Sequence, residues 1–384
     1  MLDFDLTEDQ TAIRDAVRDL CAAEFAPYAA LWDQTGEVPH SAIEKLAASG
    51  FLGMSVPEEW GGLGYDSRTI SVVIEEIAAV SASLAIMIAV HNSVGLLPVY
   101  RYATDAQRKQ FLPRLVSQEL SAFSLSEPGA GSDAGALQAT ALRDGDSYVL
   151  NGSKNWVTNG QRAGIYLIFA RTDKSGGSKG ITAFIVEKGT PGLVFGKPED
   201  KMGLRGSDTI ALSLENMRVP VDNRLGAEGE GFKVALSSLD AGRIGVASQA
   251  LGVMRAAQAE AAKYAQQRQA FGGPLSRIQA IQFKLAEMER RIQASRLLIQ
   301  RAAWLRDTNQ EFGRESSMAK LYATEAATWV THQAIQIHGG YGYVKEYAVE
   351  RYYRDARIME IYEGASEIQR LVIARSLLKH GVGV

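Results

Sequence analysis

Between Ile77 and Tyr100 the chain carries no Asp, Glu, Lys or Arg. A run of this length, IAAVSASLAIMIAVHNSVGLLPVY, must either cross a bilayer or be enclosed by the rest of the protein. Ser81, Ser83, His91, Asn92 and Ser93 dilute it, and Gly95 and Pro98 break its far end. It therefore reads as a buried helix pair, at the centre of a helical domain or along the wall of a cavity, with no membrane span. Enclosing it demands a large core. With 384 residues, 46% hydrophobic and 22% charged, the chain has enough material for about two or three domains.

The charge balance narrows the function classes. Lys and Arg number 41 against 44 Asp and Glu, a net of −3, which excludes a basic nucleic-acid binder and a polybasic membrane-surface protein. The single cysteine, Cys21, excludes an intramolecular disulfide and a Cys-rich metal site. The opening MLDFDLTEDQ is acidic where a targeting segment would be basic, so a cytoplasmic location is the expectation.

Periodicity divides the chain in three. Residues 1–119 read as helical: Thr7 and Gln10 match a capping box, and Ile13, Val17 and Leu20 follow at helical spacing. From Ser121, short β-branched and aromatic runs (SYVL, SKNWVT, GIYLIFART, ITAFIVE) alternate with Gly, Asp and Asn, which predicts a central antiparallel β domain over 120–222. Asn151-Gly152 is its strongest hairpin signal. Over 223–384 the helical period returns in long amphipathic stretches, which predict an antiparallel bundle. The fold class is α+β and multidomain.

The motifs are weak one by one. GAGSDAG (129–135) falls short of a dinucleotide fingerprint because a strand pattern follows it rather than a helix. Its local reading is a Gly-rich loop whose amides, with Ser126 and Ser132, face a ligand, or a plain β-turn. His40, His91, His332, His338 and His380 show no ligand spacing, so no metal is expected. No GxSxG is present to supply a nucleophile. Near the C-terminus, Ser366 and Gln369 match a capping box, which places Tyr362-Glu363-Gly364 just before a helix. Gly364 leaves room for a ligand to approach the Glu363 carboxylate.

Taken together, these segments are specific. FSLSEPGAGSDAGA (123–136), QIHGGYGYVKEYAVERYYRD (336–355), PEEWGGLG, KNWVTNG, LDAGRIGVASQALG, RQAFGGPLSRIQAIQ and IYEGASEIQRLVIA stand in the order of the acyl-CoA dehydrogenase family, which the chain resembles over its whole length. The resemblance is strongest to the short-chain, butyryl-CoA branch. It implies an N-terminal helical domain, a central β domain and a C-terminal four-helix bundle that hold FAD without a Rossmann fold. The implied reaction is dehydrogenation of an acyl-CoA to a trans-2-enoyl-CoA, with electrons passed to an electron transfer flavoprotein.

The resemblance assigns roles residue by residue. Glu363 matches the catalytic base, and the alternative base position of some relatives is Gly242 here. Phe123, Leu125, Ser126, Gly131 and Ser132 are expected along the flavin, Ser132 shared with CoA. Trp156 and Thr158 match its other side, and Ala365, Ser366 and Glu367 follow the base. Arg268, Phe271, Gln279, Gln336, Gly339 and Gly340 match residues that hold the ADP half across a subunit interface, which implies a homotetramer, a dimer of dimers. Asp240, Arg243, Tyr362 and Gly364 match substrate contacts, while Ile86, Met87 and Val90 match the far end of an acyl pocket narrow enough for a short straight or branched chain. Ala365 replaces the family's threonine, and His338 an aliphatic residue. A flavin oxidase or monooxygenase of the same fold, and a non-enzymatic flavin scaffold, are the competing readings.

Overall fold

The computed structural model describes residues 4–380; residues 1–3 and 381–384, which the expected terminal domains include, lie outside the described residues, as does the His380 side chain. The N-terminal part is helical: α1 (Glu8–Glu24), α2 (Ala29–Thr35), α3 (His40–Ala48), α4 (Ser67–Val80), α5 (Ala82–Val90), α6 (Leu97–Tyr102) and α7 (Asp105–Ser117). The Thr7–Gln10 capping box forms in both directions and starts α1.

The uncharged run breaks at Ser81, whose extended backbone ends α4 and whose Oγ accepts from Leu84 N–H to cap α5. A π-helical segment, His91–Leu96, joins α5 to α6. The resulting helix Ala82–Tyr102 is long and apolar enough to cross a membrane, yet 94% of its apolar window is buried inside the protein. Two of its polar side chains, Asn92 and His91, are satisfied from the segments packed around it. Asn92 Oδ1 accepts from Met54 N–H at 3.0 Å and its Nδ2 donates to Phe51 O at 2.9 Å. His91 Nδ1 accepts from Ser121 N–H at 2.9 Å, which leaves the proton on Nε2 for the Leu52 and Leu115 carbonyls, both at 3.0 Å. Burial pushes the His91 pKa down to about 4, so the imidazole is neutral. At Gly95 a Cβ would fall 1.8 Å from Ser121 Oγ, so glycine is what allows the first strand to lie against this helix.

That strand, β1 (Ser121–Ser124), opens the sheet with β2 (Thr140–Asp144), β3 (Ser147–Thr158), β4 (Ile165–Arg171), β5 (Ile181–Glu187), β6 (Leu193–Pro198), β7 (Thr209–Pro220) and β8 (Arg224–Leu225). The order is β6-β7-β3-β2-β4-β5-β8, with β1 also beside β4. Pairing is antiparallel except for β1–β4 and β2–β4, which are parallel, so the sheet is mixed where the pattern alone suggested a wholly antiparallel one. Asn151-Gly152 does not turn a hairpin. It lies within β3, where Gly152 (φ 143°) absorbs a register shift, and the β2–β3 turn falls instead at Gly145-Asp146, closed by the Asp144–Ser147 pair. Asn-Gly tolerates unusual φ in either setting, and the close approach of Ala139 to Gly152 selects the bulge.

The C-terminal part comprises α8 (Gly231–Gln267, 37 residues), a short β9 (Gln269–Ala270) and β10 (Gly273–Pro274) turn, α9 (Gln279–Asp307), α10 (Gly313–His338), α11 (Val349–Met359) and α12 (Ser366–His380). Helix α8 also packs on α4. A Cβ at Gly252 would lie 2.2 Å from Glu75 O, so the two backbones nearly touch. Glu75 and Glu76, both buried in this seam, are neutralised by Arg18, Arg255 and Arg296. The seam brings Ile86, Val90 and Val94 into one core with Ile244 and Leu251 of α8.

Candidate active site

Glu363 (φ 49°) and Gly364 (φ 95°), between α11 and α12, are both left-handed. For a non-glycine residue that conformation costs about 1–3 kcal/mol and persists only where the surroundings impose it. Here two buried side chains do so. Lys320 Nζ of α10 donates to Gly364 O at 2.8 Å, and Gln369 Nε2 of α12 donates to Gly364 O at 2.8 Å and to Glu363 O at 3.2 Å.

The turn sends the Glu363 side chain against α8. A Cβ at Gly242 would stand 2.1 Å from Glu363 Oε2 and 3.4 Å from Val94 Cγ1. Oε2 is shielded from solvent and has no hydrogen-bond partner among the described residues, although the residue as a whole is only half-buried. Burial raises the Glu363 pKa to about 7, against the pull of Lys320 and then Arg243. Arg243 is itself buried; its Nη1 donates to Asp240 Oδ1 at 2.6 Å and to Ser317 Oγ at 3.1 Å. Burial lowers its pKa, opposed by Asp240. A poorly solvated carboxyl poised near neutrality is suited to taking a proton from carbon.

One wall beside it is built by Tyr362, whose hydroxyl donates to Gln249 Oε1, while Gln249 Nε2 donates to Ala82 O at 2.8 Å. Ile86 and Val90 belong to the same core as Val94 and Tyr362. Met87 does not. It packs into the N-terminal core with Leu46, Leu52 and Met54, because the next residue on a helix points about 100° away.

The Gly-rich loop after β1 is braced from beneath. The buried pair Lys154–Glu127 closes at 2.7 Å, Lys154 Nζ also donates to Leu125 O at 3.2 Å, and Glu127 accepts from Gln138 and Ala139 N–H. Ser126 O accepts from Asn155 N–H at 2.9 Å. Above this brace Gly131 and Ser132 are exposed, and Phe123 stands 4.9 Å from the Phe169 ring. Trp156 (φ 60°) lies in the register shift between Lys154 and Val157 and is 62% exposed; Thr158, two residues on, is half-buried.

A second group lies elsewhere. Arg268, Gly339 and Gly340 border a cleft of about 720 Å³ with Tyr264, His338 and Tyr341, and Glu363 is not among its lining residues. His338 stacks on Tyr264 at 4.3 Å, and the Arg268 guanidinium sits over Tyr341. Phe271 (φ 52°) is 95% exposed, and Gln279 and Gln336 are exposed at the ends of α9 and α10. Among the described residues no group of three or more His, Cys, Asp and Glu could hold a metal.

Helix α12 begins at Ser366, but the capping box read from Ser366 and Gln369 is not formed. Ser366 is the first helical residue, its Oγ is buried without a partner, and the Gln369 side chain is committed to the turn carbonyls. Ala365 before it is half-buried and Glu367 after it is exposed. Lys320 and Gln249 escaped sequence reasoning, and Gln369 was read only as part of a cap. The one available signal was a lysine among small residues on a helical face, Ser316, Ala319, Ala323 and Thr324.

Models of the N-terminal, middle and C-terminal domains of acyl-CoA dehydrogenases match residues 7–119, 122–217 and 229–378 in succession. The chain belongs to the acyl-CoA dehydrogenase family. The mitochondrial short-chain specific acyl-CoA dehydrogenase of Rattus norvegicus is 50% identical over 98% of this chain and 91% of its own. The structure of butyryl-CoA dehydrogenase from Megasphaera elsdenii superposes with a TM-score of 0.97 at 43% identity, covering 98% of this chain and 100% of that one. A structure from work on the electron transferring flavoprotein of Acidaminococcus fermentans has a TM-score of 0.97 at 44% identity, with 98% and 100% covered. This acyl-CoA dehydrogenase is therefore an enzyme, and the cofactor of its family is FAD. The residues present fit that cofactor. Ser124 and Ser366 bury hydroxyl oxygens that no group among the described residues satisfies, and a Cβ at Gly129, Gly131, Gly339 or Gly340 would meet nothing within 4 Å.

Proposed function

We propose that this acyl-CoA dehydrogenase converts a short-chain acyl-CoA, straight or branched, to the trans-2-enoyl-CoA, with Glu363 as the base that removes the α-proton. The observation that carries the reading is the shielded, unpartnered Glu363 Oε2 packed on Gly242. A carboxylate stripped of water is a stronger base, and the acyl chain completes the stripping. The Glu363 N–H has no acceptor among the described residues and is available to the thioester oxygen as charge develops there. Bound FAD supplies the acceptor for the β-hydride. In this reading Phe123, Leu125, Ser126, Gly131, Ser132, Trp156, Thr158, Ala365, Ser366 and Glu367 hold its flavin end. Arg268, Phe271, Gln279, Gln336, Gly339 and Gly340 serve its ADP end together with a second subunit, which makes the enzyme a dimer of dimers. The exposure of Phe271 supports that assembly. Asp240, Arg243 and Ser132 face CoA, and an electron transfer flavoprotein takes the electrons near Trp156.

The wall supports a short chain. Ile86 and Val90 narrow the core beside Glu363, and the Tyr362–Gln249–Ala82 chain of hydrogen bonds closes it. A panel of acyl-CoAs is expected to give kcat/KM for butyryl-CoA at least about tenfold above octanoyl-CoA. Equal or reversed values would refute the short-chain assignment, and rapid peroxide formation without an acceptor flavoprotein or dye would favour the oxidase reading. The pH dependence is expected to follow Glu363. Its carboxyl accepts a proton only when ionised, so kcat/KM for butyryl-CoA rises with pH to a plateau above about 7 and declines tenfold per unit below it.

A further inference from the structure

Lys320 is fully buried on α10, and the one hydrogen bond of its side chain among the described residues is to the carbonyl of Gly364 at 2.8 Å. Burying an ammonium is costly, so its placement needs a reason. A direct ion pair with Glu363 would hold the carboxylate ionised and weaken it as a base. No such pair is formed. Lys320 instead holds the turn by the Gly364 carbonyl, from which its charge reaches Glu363 without occupying Oε2.

We infer that Lys320 is the positioning residue of the Glu363 base: it anchors the left-handed Glu363–Gly364 turn through the Gly364 carbonyl and keeps one positive charge behind the carboxylate. The inference rests on Glu363 being the base. Lys320 and Gln369 between them hold both carbonyls of the pair, Lys320 that of Gly364 and Gln369 those of Glu363 and Gly364, which leaves the Glu363 side chain uncommitted to either donor. The charged and titratable groups around the pair come from every packed element: Asp240 and Arg243 on α8, Glu325 on α10, Glu360 after α11 and Tyr362 beside the base. Arg243 is committed to Asp240 and Ser317, so Lys320 is the cation without an acidic hydrogen-bond partner. Burial pushes the Lys320 pKa down to about 8, and below that pH it is charged. The sign follows. The ammonium favours the ionised carboxylate, and its loss leaves desolvation opposed by Arg243 alone, which raises the Glu363 pKa.

The test compares flavin-loaded Lys320→Gln, which keeps a donor without the charge, with Lys320→Arg, which keeps both. Lys320→Gln is expected to move the acid limb of the kcat/KM profile for butyryl-CoA up by about one pH unit, with about a fivefold loss at pH 7 and about a tenfold loss well below it. Lys320→Arg is expected to keep the wild-type limb. A Lys320→Gln enzyme with the wild-type limb, or equal shifts in both variants, overturns the inference. If Lys320→Gln does not load flavin while Lys320→Arg does and keeps its limb, the need for a charged anchor is supported; failure of both to load means packing alone and overturns it. Glu363→Gln separates the two layers. If it is active the base assignment fails, whereas if it is dead and the Lys320 variants are unshifted, only this inference fails.

Discussion

Glu363→Gln is expected to leave a folded, yellow protein that binds butyryl-CoA and turns it over at least about 10²–10⁴-fold more slowly. Glutamine has the same shape, so the contacts with Gly242 and Val94 survive, and its amide tolerates the dry surroundings better than a carboxylate does. The turn itself is held through the backbone carbonyls of Glu363 and Gly364, which the substitution does not touch. What disappears is, among the described residues around the turn, the one group free to take the proton: Asp240 is committed to Arg243, and Tyr362 is held protonated by burial. Anaerobic mixing with butyryl-CoA makes the outcome visible, as the yellow colour persists in the variant and bleaches in the wild type. Near-normal bleaching and turnover would remove Glu363 from the mechanism.

Gly242→Ala is expected to lower kcat by about 10²-fold while barely altering stability. The added methyl would stand 2.1 Å from Glu363 Oε2, so the carboxylate must move by about 1 Å, and misplacement on that scale costs about two orders of magnitude in rate. The fold has an easy way out. The contacted atom is the end of a flexible side chain, and alanine gains about 1 kcal/mol of helix propensity over glycine inside α8, which offsets the crowding. Thermal melting together with steady-state kinetics tests both halves. Wild-type kcat, or a melting temperature lowered with rate in proportion, would show that Gly242 serves packing and not the placement of the carboxylate.

Much of the architecture was legible because the periods are long. Alternation from Ser121 and helical spacing before and after it are properties of many residues at once, and local exceptions do not erase them. Signals that rest on two residues fared worse. Asn151-Gly152 carries the backbone freedom of a turn, and in β3 that freedom went into a bulge under Ala139. Ser366 and Gln369 have the spacing of a capping box, yet the glutamine amide found stronger work on the carbonyls of a strained turn. Ile86, Met87 and Val90 were grouped by the family resemblance as one stretch of pocket wall, and helical geometry sends Met87 to the other core.

The uncharged run from Ile77 to Tyr100 shows where the division falls. Its composition alone required enclosure, since no part of it pays for exposure to water, and its Ser, His, Asn and Gly residues already argued for a protein interior over a bilayer. The family, too, was carried by the order of its motifs. Which side of that run faces the candidate site could not be read from it. That depended on the break at Ser81, the π segment that brings Gly95 onto Ser121, and the near contact of α4 with α8 at Gly252. The setting of Glu363 was equally out of reach, because its neighbours Gly242, Lys320 and Gln369 lie on three different helices. Burial and periodicity are written along the chain, whereas the pKa of a carboxyl is set by whatever packing brings beside it.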